Sequence, residues 1–203
     1  RSVPPDIKDF SPVIKAAKDS GADAFLLFGY PDQVMPAVAT SMQLNYNPKV
    51  WLGGPSVNFG FFHATYKKAA EGVMGWTMYA RGISEKLDAL ADLLYTGQPE
   101  EIQDWWGHPC YWAGLEIWKQ AIEDTGTLDQ QVLRDYIATN HFDTVLGDTW
   151  FTMFGDGAGG GLLARECHTG EVGQWINGVY EVVGPFDKAT AEWVYPKPPW
   201  PAG

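Results

Sequence analysis

The stretch Ala24-Phe25-Leu26-Leu27-Phe28-Gly29-Tyr30-Pro31 decides how this chain folds. Five apolar residues run without a polar break, the pattern of a strand buried on both faces inside a parallel sheet. Gly29-Tyr30-Pro31 then turns the chain. Asp32 stands where it can cap a helix carrying Val34, Met35, Val38 and Met42. A second short strand over 49–52 closes on Gly53-Gly54-Pro55, a helix runs through Phe61, Phe62 and Tyr66, and a third strand covers 73–79. Strand, helix, strand, helix, strand with short connections predicts an α/β fold with parallel strands and right-handed crossovers.

Upstream, Asp9-Phe10-Ser11-Pro12 reads as a helix start, with Ser11 as cap and Pro12 in the first turn. Val13, Ile14, Ala16 and Ala17 give this helix its apolar face, and Gly21 stops it. No strand precedes it. Pro4-Pro5 occupies that place, and proline is a poor central-strand residue. The expectation is a sheet whose first strand lies outside this sequence.

Downstream, the middle third reads as helical. Leu87, Leu90, Ala91 and Leu94 make one stripe, and Ala113, Ile117, Ala121 and Ile122 make another, ended by Gly126. Thr127 with Gln130 has the spacing of a capping box for a third helix through Val132, Leu133, Tyr136 and Ile137. Residues 155–161 form a glycine-rich crossing. Asn177-Gly178, between alternating runs over 171–176 and 179–183, signals a β-hairpin. The proline-rich end from Tyr195 to Pro201 reads as an extended tail.

Composition narrows the function. Of 203 residues, 14 are basic and 25 acidic, for a net charge of −11. That balance argues against a nucleic-acid partner, which needs a basic face, and against an anionic membrane surface. No apolar run approaches the ~18 residues of a membrane-spanning helix. Ten Trp within an aromatic content of 14% suggest a packed interior or a cleft for a small organic ligand. Trp105-Trp106, Tyr111-Trp112 and Trp118 could line a sugar-binding face, but their helical spacing favours core. Cys110 and Cys167 are either two free thiols or, in an oxidising compartment, one bridge.

Nucleotide, nucleophile-elbow and zinc-protease motifs are absent, and no cofactor is expected. His108, Cys110, Cys167 and His168 lack the spacing of a zinc set and read as structural. Glu100-Glu101 follow Pro99 at a helix start, where their charge complements the helix dipole. The informative place is geometric. Open parallel sheets bind ligands beyond the carboxyl ends of their strands. Those ends are Gly29-Tyr30-Pro31, Gly53-Gly54-Pro55-Ser56-Val57-Asn58 and Ala80-Arg81-Gly82. Glycine there lets backbone approach a ligand.

Asp9-Phe10-Ser11-Pro12, Gly21-Ala22-Asp23-Ala24 leading into the first strand and Gly29-Tyr30, then Ala70-Glu71-Gly72-Val73, Phe142-Asp143-Thr144-Val145-Leu146-Gly147 and Gln174-Trp175-Ile176-Asn177-Gly178, form a recognisable series. In order and spacing it resembles the solute-binding proteins of branched-chain amino acid-type ABC transporters. The resemblance covers the C-terminal half of such a protein. It implies a type I periplasmic-binding fold with parallel sheets flanked by helices, two lobes and a hinge, present as the C-terminal part only. Residues 1–82 would be the second lobe without its first strand. Residues 83–157 would be the closing part of the first lobe, and 158–203 the return to the second with hairpin and tail. The implied function is non-enzymatic: capture of a small polar ligand (amino acid, amide or related compound) and delivery to an ABC transporter permease. The implied location is periplasmic or extracellular, with any lipid anchor upstream. The implied ligand contacts are Tyr30, Gly54, Ser56 and Asn58. The loop at 54–58 has no acid where family members often carry one for a ligand's ammonium, which argues for a ligand needing no such counter-charge. The alternatives are a sensor domain of the same fold, and a carbohydrate-active enzyme or lectin.

Overall fold

A computed structural model describes residues 2–153, 161–168 and 170–201. Helix α1 (Ser11–Asp19) starts with Ser11 as its first residue, so Phe10 rather than Ser11 is the N-cap residue, and the Asp9 carboxylate before it accepts the Ser11 amide at 2.8 Å. Strand β1 (Ala24–Phe28) leads to helix α2 (Pro31–Gln43), strand β2 (Val50–Gly54), helix α3 (Gly60–Tyr66) and strand β3 (Met74–Thr77). Tyr30 rather than Asp32 is the N-cap residue of α2, and the Gln33 side chain accepts its amide at 2.9 Å.

The sheet order is β1-β2-β3, followed by strand β8 (Glu171–Ile176) and strand β9 (Val179–Gly184). The first three strands are parallel, in the register Ala24↔Val50 and Leu52↔Met74. The hairpin of β8 and β9 joins antiparallel, so the expected parallel sheet is mixed. The chain leaves β3 and re-enters β8 at the same edge of the sheet, Thr77 opposite Glu171, so the returning strand runs antiparallel.

β1 departs from expectation. Phe25 and Leu27 are buried with Ile14, Val34, Ala37, Val38 and Trp51. On the other face Leu26 is 53% and Phe28 74% exposed. Helices α1 and α2 cover one side of β1, and β1 is the edge strand, so an all-apolar sequence is only half-buried.

Glycine is structurally required where α3 begins. A Cβ on Gly60 would overlap the Glu100 backbone oxygen in the 3-10 turn Glu100–Ile102. Gly60→Ala is expected to cost about 1–3 kcal/mol by overpacking, read as a shift in denaturation midpoint at unchanged m-value. A loss within experimental error would show that this turn does not seat against α3.

Between β3 and β8 lie helix α4 (Glu85–Tyr95), helix α5 (Gly107–Thr125), helix α6 (Gln130–Ile137) and the ladder of β4 (Phe142–Thr144) with β5 (Gly147–Thr149). A second ladder pairs β6 (Phe151–Met153) with β7 (Gly161–Leu163). The glycine-rich crossing over 155–161 falls outside the described residues from 155 to 160, and its last residue, Gly161, opens β7. Asp129, not Thr127, caps α6 by accepting the Gln131 and Val132 amides. In α5, Ala113, Ile117 and Ala121 are buried as read. Trp105 is core, but Trp106, Tyr111 and Trp118 are exposed. Tyr111, Leu115 and Trp118 follow an i, i+4, i+7 path, a second stripe that stays exposed. Cys110 and Cys167 are free thiols, and burial pushes Cys110 up to about 11.

Candidate functional site

The parallel strands deliver their carboxyl ends to one edge. Gly29 there donates its amide to the Gly54 carbonyl at 3.1 Å, and the Ser56 hydroxyl reaches the Gly29 carbonyl at 3.4 Å. The loops after β1 and β2 are thus bonded together. Tyr30, the N-cap residue of α2, is 69% exposed. Gly54 lies beneath the Trp76 indole, where a Cβ would overlap the ring. This bare position lets Phe28 on β1 and Trp76 on β3 meet across β2 at 4.7 Å between centroids.

Ser56 and Asn58 lie under the loops rather than on their rim. Both are fully buried. The Ser56 hydroxyl is directed to the Pro55 and Gly29 carbonyls, and the Asn58 amide donates to Asp104 at 3.5 Å. Asp104 in turn accepts the Trp106 and Gly107 amides, which ties the loop after β2 to the start of α5. A short polar side chain in a tight loop finds a backbone carbonyl before it finds solvent. Of the four residues singled out by sequence, the structure leaves only Tyr30 exposed at this edge, buries Gly54 at the end of β2 under Trp76, and turns Ser56 and Asn58 inward.

Sequence reading passed over a second polar constellation at the same edge. Glu171, the first residue of β8, pairs with Thr77 at the end of β3. Its carboxylate is buried, and Oε1 accepts Lys188 Nζ at 2.9 Å. His168 lies beside it, Nε2 at 3.5 Å from Glu171 Oε2 and 3.0 Å from Met78 Sδ. Burial raises the Glu171 carboxyl while Lys188 opposes the shift, and burial lowers His168 to about 4, leaving its ring neutral at pH 7. A cavity of about 410 Å³ opens over these groups, bounded opposite by Ile83 to Leu87 and Val145 to Gly147. The available signal was Glu171's inward position in the alternation of β8, a charge on a buried face.

Among the described residues no group of three or more His, Cys, Asp and Glu side chains could hold a metal. No helix described is long and apolar enough to cross a membrane.

Comparison with known proteins bears on this edge. A family model described as periplasmic binding protein matches residues 1–164. A leucine binding protein from Thermotoga maritima is 19% identical, with a TM-score of 0.65 over 90% of this chain and 50% of its own. A putative branched-chain amino acid ABC transporter protein from Silicibacter pomeroyi is 16% identical, with a TM-score of 0.67 over 99% of this chain and 53% of its own. A Rhodopseudomonas palustris solute binding protein in complex with 4-hydroxybenzoate is 15% identical, with a TM-score of 0.66 over 99% and 52%. The chain therefore spans about half the length of the solved chains it resembles.

Proposed function

The chain belongs to the periplasmic binding protein family and has its type I fold, and on that premise we propose that it is part of a solute-binding protein that encloses a small polar ligand between two lobes and hands it to an ABC transporter permease. In this reading residues 1–82 and 158–203 form one lobe, residues 83–157 belong to the other, and the protein works in the periplasm or outside the cell without chemical turnover. The observation that carries it is the edge where β1 and β2 end: two bonded loops, with an exposed tyrosine beside a glycine-floored aromatic pair. Such an edge is where open α/β sheets hold ligands. Tyr30 offers an apolar face and one hydroxyl, the Gly54 loop offers backbone, and Ser56 and Asn58 hold that loop in place.

The loop 54–58 contains no carboxylate. A free ammonium desolvated against it would lack a local counter-charge, so an amide or an aromatic acid suits this loop better than an α-amino acid. The Rhodopseudomonas palustris relative in complex with 4-hydroxybenzoate is a protein of this fold with a ligand that has no ammonium.

Two measurements test the reading. Calorimetry of this chain alone with benzoate-type acids, amides and α-amino acids is expected to give no binding tighter than about millimolar, because enclosure by both lobes supplies the affinity. Micromolar binding would contradict the two-lobe mechanism. In the two-lobed parent, Tyr30→Ala should weaken the ligand by about 1–3 kcal/mol with little change in melting temperature, and Tyr30→Phe should cost less. A sharp fall in Tm at constant Kd would make Tyr30 a packing residue instead.

A further inference from the structure

We propose that Met78 Sδ, His168 Nε2 and Glu171 Oε2 form a binding site for a soft monovalent metal cation, copper(I) in chemical class, at the junction where the chain leaves β3 and returns to β8. The proposal stands apart from the solute-binding reading and needs neither lobe closure nor a transported ligand.

Three acceptor types converge here. Nε2 lies 3.0 Å from Sδ and 3.5 Å from Oε2. The edges of a tetrahedron with bonds of about 2.1–2.3 Å measure about 3.4–3.7 Å, so the second separation already fits and the first must open by about half an ångström. Methionine, unbranched with three rotatable bonds, supplies that movement readily. The side chains of His168 and Glu171 are 6% and 1% exposed. Among the described residues Glu171 Oε2 is buried without a hydrogen-bond partner, an expensive state for a carboxylate oxygen unless something positive sits beside it. The ring of His168 has a lone pair on Nε2 for a metal when Nδ1 carries the proton. Lys188 holds the other carboxylate oxygen at 2.9 Å, the outer contact that fixes a ligating carboxylate in place.

The donor set selects the ion. A thioether is a poor ligand for zinc, magnesium or calcium, and a good one for copper(I). Lys188 already balances the charge of Glu171, so a divalent ion would leave two uncompensated charges in a buried site and a monovalent ion only one. The cavity of about 410 Å³ that Met78, His168, Glu171 and Lys188 help to line gives the ion a way in and a side open to a fourth ligand. Met78 and His168 are 90 residues apart, so the ion would tie the exit of β3 to the return of β8.

The two thiols bind copper(I) by themselves, so the test uses the chain carrying Cys110→Ser and Cys167→Ser. Titrated anaerobically with copper(I) against bicinchoninate, it is expected to withdraw one equivalent. Met78→Leu, which conserves volume, should weaken copper(I) by more than the roughly 10–100-fold typical of an outer-contact change. Zinc(II) should bind the unsubstituted site far more weakly than copper(I). X-ray absorption on a chain carrying Cys110→Ala and Cys167→Ala covers the case in which the serine double substitution fails to fold. A mixed shell of one thioether sulfur with nitrogen and oxygen scatterers supports the site, and a shell without sulfur overturns it. Failure to compete with bicinchoninate, affinity unchanged in Met78→Leu, or a preference for zinc(II) also overturns it.

Discussion

Trp51→Ala should lower the free energy of unfolding by about 3–5 kcal/mol, the range for truncating a fully buried large aromatic. Trp51 sits in β2, between β1 and β3, and has no exposed surface. Its ring lies 5.5 Å from that of Phe25, and its indole N–H donates to the Ser41 hydroxyl on α2 at 3.2 Å. Ser41 is itself anchored, donating to the Ala37 carbonyl at 2.8 Å. The indole therefore joins α2 to the sheet by packing and by a hydrogen bond. Truncation leaves a cavity whose walls, the ring of Phe25 and the backbone at Gly53, cannot close it. Trp51→Phe keeps much of the volume and loses the N–H, so a smaller loss is expected. With ten Trp in the chain, far-UV circular dichroism in urea is a cleaner readout than fluorescence. A loss below about 1 kcal/mol for the alanine variant would mean that α2 does not dock on β2 through this ring.

What could be read from sequence is what local chemistry decides. Asn177 and Gly178 both have positive φ, the backbone of a two-residue hairpin turn, and the strands on either side run where the alternation indicated. Gly126 ends α5 in the left-handed region for the same kind of reason. The family match over 1–164 agrees with the resemblance drawn from short motifs spread along the chain. The helix caps were less legible, because Phe10, Tyr30 and Asp129 are the N-cap residues in place of Ser11, Asp32 and Thr127. Neighbouring polar groups one or two residues apart compete for the same amides, and the winner depends on how the chain arrives.

The failures are non-local. Nothing in Ala24-Phe25-Leu26-Leu27-Phe28 says whether a second layer covers Leu26 and Phe28, since apolar sequence reports capacity for burial and not its occurrence. Tyr111 and Trp118 failed as core residues for the same reason. At the candidate site, the order of strands located the edge and Tyr30, whereas the burial of Ser56 and Asn58 depends on carbonyls and a carboxylate brought by other segments. The pair Glu171–Lys188 spans 17 residues and His168–Met78 spans 90, separations at which no motif operates.

The stability of the chain should rise with pH from about 7 to about 10 because of Lys197. This lysine, in the proline-rich tail, is 2% exposed. Its backbone amide donates to the Lys49 carbonyl at 2.8 Å, and the Trp200 indole three residues later donates to the Tyr46 carbonyl at 2.7 Å, so the tail is docked and the side chain cannot escape to water. The ammonium donates to the Pro198 carbonyl and lies 3.5 Å from the centre of the Trp200 ring, but among the described residues it has no carboxylate partner. Burial lowers its pKa from 10.5 to about 7. A base with a lowered folded pKa binds its proton more tightly when unfolded. Its stabilising contribution is therefore complete above the unfolded value of 10.5 and is lost as pH falls towards 7. The full span corresponds to about 3–5 kcal/mol, allowing for the opposing attraction of the Trp200 ring. Lys197→Met removes the charge while keeping the length of the stem. At pH 6 it should be more stable than the natural chain by about 1–4 kcal/mol, with the gap closing as the pH is raised to 10. Denaturation series at both pH values decide the matter, because the difference between the two chains cancels every other titrating group. If Lys197→Met proves less stable at pH 6, the Trp200 ring and the Pro198 carbonyl more than offset the loss of water around the ammonium, and the tail is held by its charge rather than in spite of it.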